Sequence, residues 1–307
     1  MQNHMLLLCC ALVVLFLGHA KALEDPMFLK NRGLSLVKMA LFADVAYDVT
    51  HYRALRKSDK SGRSKLIPSH PIVPPQSTPF TFYGAYSIGN TEFVVLYDDL
   101  ADHLVLAFRG TAGLGDAIDD AKARKVTWSL NAQLQVHEGF MEQYEKGRKD
   151  ILDVVSEHLE EGVKLISIAG HSLGGALATM AAVDLSREFP DVELAVATFG
   201  SPRAGDPAFA AHYRSLPVAQ RTIRVVNREP ACLNGPHVKV LGVQACQDKV
   251  TLVPPDGPFE HVVDATILDA ESGFNYHVGP EFELKMHSLT TYEATVWVAT
   301  QQKNEDL

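Results

Sequence analysis

Several things are scarce in this sequence of 307 residues, and each shortage narrows what it can be. Neither sign of charge forms a long run, although 28 basic residues stand against 37 acidic ones for a net charge of −9. Nucleic acid is bound through clustered Lys and Arg, so no nucleic-acid partner is expected. A strongly basic membrane-binding face is set aside for the same reason. Only four cysteines occur, at positions 9, 10, 232 and 246, and none has a neighbour at metal-ligand spacing. No zinc site, other metal or cofactor is therefore expected. No N-x-Ser/Thr sequon is present and no internal repeat is apparent, so neither N-glycosylation nor a repeat architecture is expected. The apolar run at the N-terminus, Met5 to Leu17, is about 13 residues long, short of the roughly 20 that span a bilayer.

That run is followed by Ala20-Lys21-Ala22, a small-x-small pattern, so residues 1–22 are read as a secretory signal even though no Lys or Arg precedes them. Export leaves Cys232 and Cys246 as an even pair in an oxidising compartment. A disulfide between them is expected; closing a loop of about 15 residues is worth roughly 3 kcal/mol in the chain-entropy model. Residues 23–307 are read as one domain, because 47% hydrophobic content can bury a large core. No obligate protein partner is expected.

Leu34, Val37, Leu41 and Val45 recur at helical spacing, which predicts an amphipathic helix laid over a sheet. The proline-rich stretch 58–80 predicts a surface loop. From there strands are predicted at 93–97, 103–108, 163–169, 193–199 and 221–226, with helices at about 140–158 and 173–189. Nearly continuous apolar strands separated by helices imply an α/β fold, a mostly parallel central sheet covered by helices on both faces.

The chemistry centres on Gly170-His171-Ser172-Leu173-Gly174, a G-x-S-x-G between a predicted strand and a predicted helix of small residues. Such a turn exposes a serine hydroxyl at the sheet edge, which makes Ser172 the candidate nucleophile. A serine needs a base and the base needs an orienting acid, in the chain order Ser, acid, His on this kind of fold. Order alone leaves His212, His237, His261, His277 and His287 open as bases.

Four blocks, LVLAFRGT (104–111), VHEGF (136–140), GHSLGGALA (170–178) and TFGSPRAGDPAFA (198–210), resemble the class 3 lipases, typified by secreted fungal triacylglycerol lipases and related feruloyl esterases. The resemblance covers roughly residues 80–295. It implies an α/β-hydrolase fold with Ser172 as nucleophile, His287, in H-x-x-x-x-Y, as base, and an oxyanion hole from Thr111 and the backbone N–H of Leu173. The acid departs from the family pattern V-N-x-x-D-x-V-x-x-L-P-P, because Val226-Asn227 is followed by REPACLNG. The second half of that pattern resumes at Asp248, with Val250, Pro254 and Pro255 at the family's spacing and Phe259-x-His261 beyond. An insertion of about 18 residues between Asn227 and Asp248 accounts for this, with Glu229 as the alternative acid and VKVLGV as a hairpin arm inside it. Bridged Cys232 and Cys246 would pinch the insertion near its base.

The expected activity is a secreted carboxylic-ester hydrolase, foremost a lipase on acylglycerols with transient contact at lipid interfaces. An esterase on smaller or aryl esters, an acyltransferase and a non-catalytic binder of the same fold are the alternatives. Residues 112–124, AGLGDAIDDAKAR, stand where family lipases carry a lid; their acidic residues, and Ala117 in place of a bulky Trp, argue against strong interfacial activation. His137 and His261 are expected to be structural.

Overall fold

The computed structural model describes residues 36–48, 64–66, 80–89, 91–98, 102–110, 124–228, 239–240, 243–244, 248–254, 258–269 and 292. The elements that matter begin with α1 (Leu36–Val45), β1 (Ser64–Leu66), β2 (Phe80–Ile88), β3 (Thr91–Asp98) and β4 (His103–Phe108). A hairpin β5 (Lys125–Trp128) and β6 (Asn131–His137) leads into α2 (Glu138–Glu160) and β7 (Leu165–His171). Then come α3 (Leu173–Glu188), β8 (Glu193–Phe199), α4 (Pro207–Ser215) and β9 (Thr222–Arg228), followed by β10 (Lys239–Val240), β11 (Val243–Gln244) and β12 (Ala265–Asp269).

Eight strands form one sheet in the order β1-β2-β3-β4-β7-β8-β9-β12. From β4 through β12 the pairings are parallel, whereas β1, β2 and β3 add to the edge antiparallel. Residue alternation sorts the side chains onto two faces. Val105, Ala107, Ala169, Ala195 and Ala197 turn toward α1, while Leu104, Leu106, Phe108, Ile166, Ile168 and Val196 turn toward α2, α3 and α4. Both faces are buried, so β4 and β7 show no exposed residue at all. Each fully buried Phe here, Phe93 and Phe108 among them, stabilises the fold by roughly 1.5–3 kcal/mol.

The expected α/β sheet and its helices are present at nearly the expected bounds. β2, β5, β6, α4 and β12 stand beyond those the sequence predicts, and two of the predicted elements differ from expectation. The first helix is not amphipathic: Leu36 to Ala43 and Val45 are all buried, and Leu34 lies outside the described residues. Its one cation inside, Lys38, is neutralised by Asp98 at the end of β3, with Nζ to Oδ2 at 2.9 Å, which is what lets a polar position face inward. Inside the expected loop 58–80, Ser64–Leu66 pairs antiparallel with β2 as an edge strand. Among the described residues, no helix is long and apolar enough to cross a membrane.

Candidate active site

At the carboxyl end of β7 the chain turns through Ser172 with φ 56° and ψ −131°, then enters α3 at Leu173. Left-handed φ in a non-glycine residue costs roughly 1–3 kcal/mol and persists only where its surroundings hold it. Here the Ser172 N–H donates to the Phe199 carbonyl on β8 at 2.9 Å, and the Ser172 carbonyl accepts from Gly175 N–H at 2.8 Å. The flanking glycines are dictated by close approach. A Cβ on Gly170 would sit 2.1 Å from the Gly174 carbonyl oxygen, and one on Gly174 would sit 2.2 Å from the Phe108 carbonyl oxygen. The G-x-S-x-G pattern is thus a packing requirement between β7, α3 and the end of β4. Leu173 lies in the first turn of α3, where backbone N–H groups have no intrahelical partner and the helix dipole is positive.

The turn after β4 lies against this elbow. A Cβ on Gly110 would be 3.0 Å from Ser172 Cβ and 2.6 Å from the His171 carbonyl oxygen. Tyr47, beyond the C-terminal end of α1, reaches into the same corner: its hydroxyl meets His171 Nδ1 at 2.7 Å and bonds the Gly110 backbone. Burial pushes the Tyr47 phenol well above its ordinary range, so it remains a neutral donor. Arg109 stands over the Tyr47 ring at 5.8 Å and pairs with Glu92. Thr111 is the next residue and lies outside the described residues, as do 112–123.

Asp248 is brought back to the end of β9, two strands from the elbow. Its N–H donates to the Asn227 carbonyl at 3.1 Å, on the strand the insertion leaves. Its carboxylate is only 1% exposed; Oδ1 accepts from Val250 N–H at 3.0 Å and Oδ2 from the Tyr292 hydroxyl at 2.6 Å. A surface cap of the following 3-10 turn (Lys249–Leu252) would need one oxygen and no burial. Burying a carboxylate costs several kcal/mol unless it is fully hydrogen-bonded, so both oxygens being engaged is what sustains it here. Tyr292 is itself fully buried, and its ring centroid lies 5.8 Å from that of His171, so one side chain spans the acid and the elbow. Burial, and then the Asp248 charge, hold the Tyr292 phenol well above its ordinary range.

The remaining blocks act as a frame. Arg203, from SPR, donates through Nη1 to the carbonyls of Leu252 and Pro254 at 2.5 and 2.8 Å, and its N–H donates to that of Val253 at 2.9 Å, so it grips the turn that follows Asp248. Gly205, from AGDP, bridges Val136 on one side and Glu260 on the other, which ties three separate blocks together. Burial and the like charge of Arg203 hold Arg224, on β9, down at about 10. His261 Nε2 donates to the Thr251 carbonyl at 2.7 Å, and His137 stacks on Phe140 with centroids 4.1 Å apart.

Ser172, Leu173 and Asp248 therefore lie at one edge of the sheet, at the carboxyl ends of parallel strands. His287, Cys232, Cys246 and Glu229 lie outside the described residues. The expected hairpin in the insertion is present as β10 pairing antiparallel with β11. Sequence reasoning missed Tyr47 and Arg203 altogether, and it noted Tyr292 only as the last letter of a motif. Among the described residues no group of three or more His, Cys, Asp or Glu could hold a metal ion.

The profile of the family described as Lipase (class 3) matches residues 105–256. A lipase from Rhizopus niveus is 34% identical over 141 residues, which cover 44% of this chain and 36% of that protein. The secreted mono- and diacylglycerol lipase A of Penicillium cyclopium is 25% identical over 221 residues, 70% of this chain and 68% of its own length. A solved structure of MDLA from the same organism superposes with a TM-score of 0.58 at 21% identity, covering 88% of this chain and 95% of that one. The match to the Rhizopus relative thus spans little more than a third of that protein's length.

Proposed function

The chain belongs to the class 3 lipase family, and on that premise we propose that it is a secreted serine carboxylic-ester hydrolase acting on acylglycerols. Residues 1–22 direct export and residues 23–307 form one catalytic domain, with Cys232 bridged to Cys246. Ser172 is the nucleophile, His287 the base, and Asp248 the acid that fixes the imidazole tautomer and stabilises its cation. His287 takes the Ser172 proton as the serine oxygen attacks the ester carbonyl. The resulting oxyanion accepts hydrogen bonds from Thr111 and from the Leu173 N–H, each worth about 3 kcal/mol in such sites. Collapse breaks the ester C–O bond and the leaving alcohol receives the proton from His287. Water, deprotonated by the same imidazole, then attacks the acyl-serine, and Ser172 leaves as its own hydroxyl is restored.

The observation that supports this reading most is the strained Ser172 turn, with φ 56°, set at the same sheet edge as a buried, doubly engaged Asp248. The names of the relatives in the family point to acylglycerols as substrate. The test is hydrolysis of emulsified mono-, di- and triacylglycerols beside a nitrophenyl ester series from acetate to palmitate, with Ser172→Ala in parallel. The expected result is activity on the glycerides, falling about 10⁵-fold or more in the variant. Activity confined to short or aryl esters would replace the glyceride substrate with a smaller ester. Undiminished hydrolysis by Ser172→Ala would end the serine mechanism, and no hydrolysis by the unaltered protein would favour a binding protein.

A further inference from the structure

An insertion placed directly before a catalytic acid creates a mechanical problem. Strand β9 ends at Arg228, one residue past Asn227, and the carboxylate itself arrives only at Asp248. Displacement of a catalytic group by about 1 Å can cost a hundredfold in rate, so something must rejoin the two ends. One oxygen atom does so. The Tyr292 hydroxyl accepts the N–H of Asn227, on the departing side, at 3.2 Å and donates to Asp248 Oδ2, on the returning side, at 2.6 Å. A single backbone bond, Asp248 N–H to Asn227 carbonyl at 3.1 Å, runs beside it. The Tyr292 ring is gripped in turn by Phe199 and His171, with centroids 6.1 and 5.8 Å away, so the hydroxyl is aimed from the elbow and the β8 end rather than from the inserted segment.

We propose that Tyr292 is the positioning residue of the triad acid: its hydroxyl closes the mouth of the insertion and holds the Asp248 carboxylate in catalytic register. This rests on the assignment of Asp248 as the acid. Tyr292 does not touch substrate and transfers no proton; it acts through Asp248 alone. Val250 N–H holds Oδ1 and Tyr292 holds Oδ2, so the carboxylate cannot rotate about its own axis. A side chain with the ring but without the hydroxyl keeps the packing against Phe199 and His171, yet removes one hydrogen bond to the acid and one from the Asn227 N–H.

The experiment is a double-mutant cycle of Tyr292→Phe and Asp248→Asn on the mature protein, read as kcat and KM with one soluble ester well below the melting temperature. Tyr292→Phe alone is expected to lower kcat about ten- to a hundredfold, the loss of a hydrogen bond to a charged group, with KM within about twofold. Asp248→Asn alone is expected to lower kcat about a thousandfold or more. In that background Tyr292→Phe should add less than about twofold, because its route to the chemistry is already cut. Equal losses in both backgrounds, or a Tyr292→Phe enzyme with unaltered kcat, would overturn the inference. An unaltered Asp248→Asn enzyme would instead strike the assignment of the acid. p-Aminophenylalanine at 292 restores an N–H donor; kcat returning to within about threefold of the parent is expected, and a folded but impaired protein overturns the proposal even where the Phe variant does not fold.

Discussion

The elbow and the acid site perform neighbouring tasks and are held in opposite ways. At the elbow the constraints are mainly steric and fall on one short stretch: Gly170, Gly174 and Gly175 are crowded by backbone or Ser201, and Ser172 is tied to Phe199 and Gly175. At the acid the constraints come from far along the chain. Tyr292 lies 44 residues from Asp248, and Arg203 reaches 51 residues to Pro254. The difference teaches where this fold tolerates change. A turn built from steric necessity cannot accept a single added methyl, whereas an acid held by distant side chains survives an insertion immediately before it, provided those side chains remain.

The largest effect that would sharpen this contrast is at the elbow. Gly174→Ala drives a Cβ to 2.2 Å from the Phe108 carbonyl oxygen and is expected to cost about 4 kcal/mol of stability by urea unfolding. A variant of parental stability would show that the elbow is not sterically locked. Next comes the insertion: replacing Cys232 and Cys246 with serine is expected to remove about 3 kcal/mol and lower Tm by about 6–10 °C. Its kcat should stay within about threefold, because Val250, Tyr292 and Asn227 hold the Asp248 carboxylate and N–H without the sulfur bridge. A collapse of kcat with the fold intact would transfer control of the acid to the sulfur bridge.

Arg203→Met should cost about 2 kcal/mol, since the carbonyls of Leu252 and Pro254 lose a charged donor. It should also lower kcat several-fold without altering KM; equal behaviour of kcat and KM would place Arg203 outside the acid's support. The smallest effect is shared by both regions. Tyr47 beside the elbow and Tyr292 beside the acid have folded-state pKa values raised above the ordinary 10. Below pH 10 both states keep these protons and their contribution is whole. Above it the unfolded chain ionises first, so stability falls by about 1.4 kcal/mol per phenol for each pH unit. Urea unfolding at pH 9, 10 and 11 checks the slope, and phenolate absorbance that reaches full amplitude near pH 10 without unfolding would refute it.

This contrast also explains what was legible. Strands β4, β7, β8 and β9 could be read because parallel strands buried on both faces leave continuous apolar runs. The Ser172 turn could be read because it is written in five adjacent residues. Asp248 was legible through the spacing of Val250, Pro254 and Pro255, a local pattern that outlived the insertion. Tyr47, 124 residues from the histidine it meets, left no local signature. Arg203 stood inside a block that resemblance singled out, but its reason for being there appears only when Leu252 and Pro254 fold back over it. The first helix was misjudged because a buried ion pair hides Lys38, which helical spacing counts as an outward position. The hairpin of β5 and β6 escaped because KVTW and NAQLQVH are half-exposed and carry no strong alternation.

The deep placement of α1 governs how the chain can be made. This helix leaves the ribosome before every strand it packs against, and its partners on β7 and β8 are synthesised more than a hundred residues later. Until then only β2, β3 and β4 can cover its apolar surface, so this layer is completed only after β7 and β8 have been made. Shortening the protein from its front past residue 36 would remove part of the interior and not an ornament, and the cell must keep that greasy segment from wrong company in the meantime.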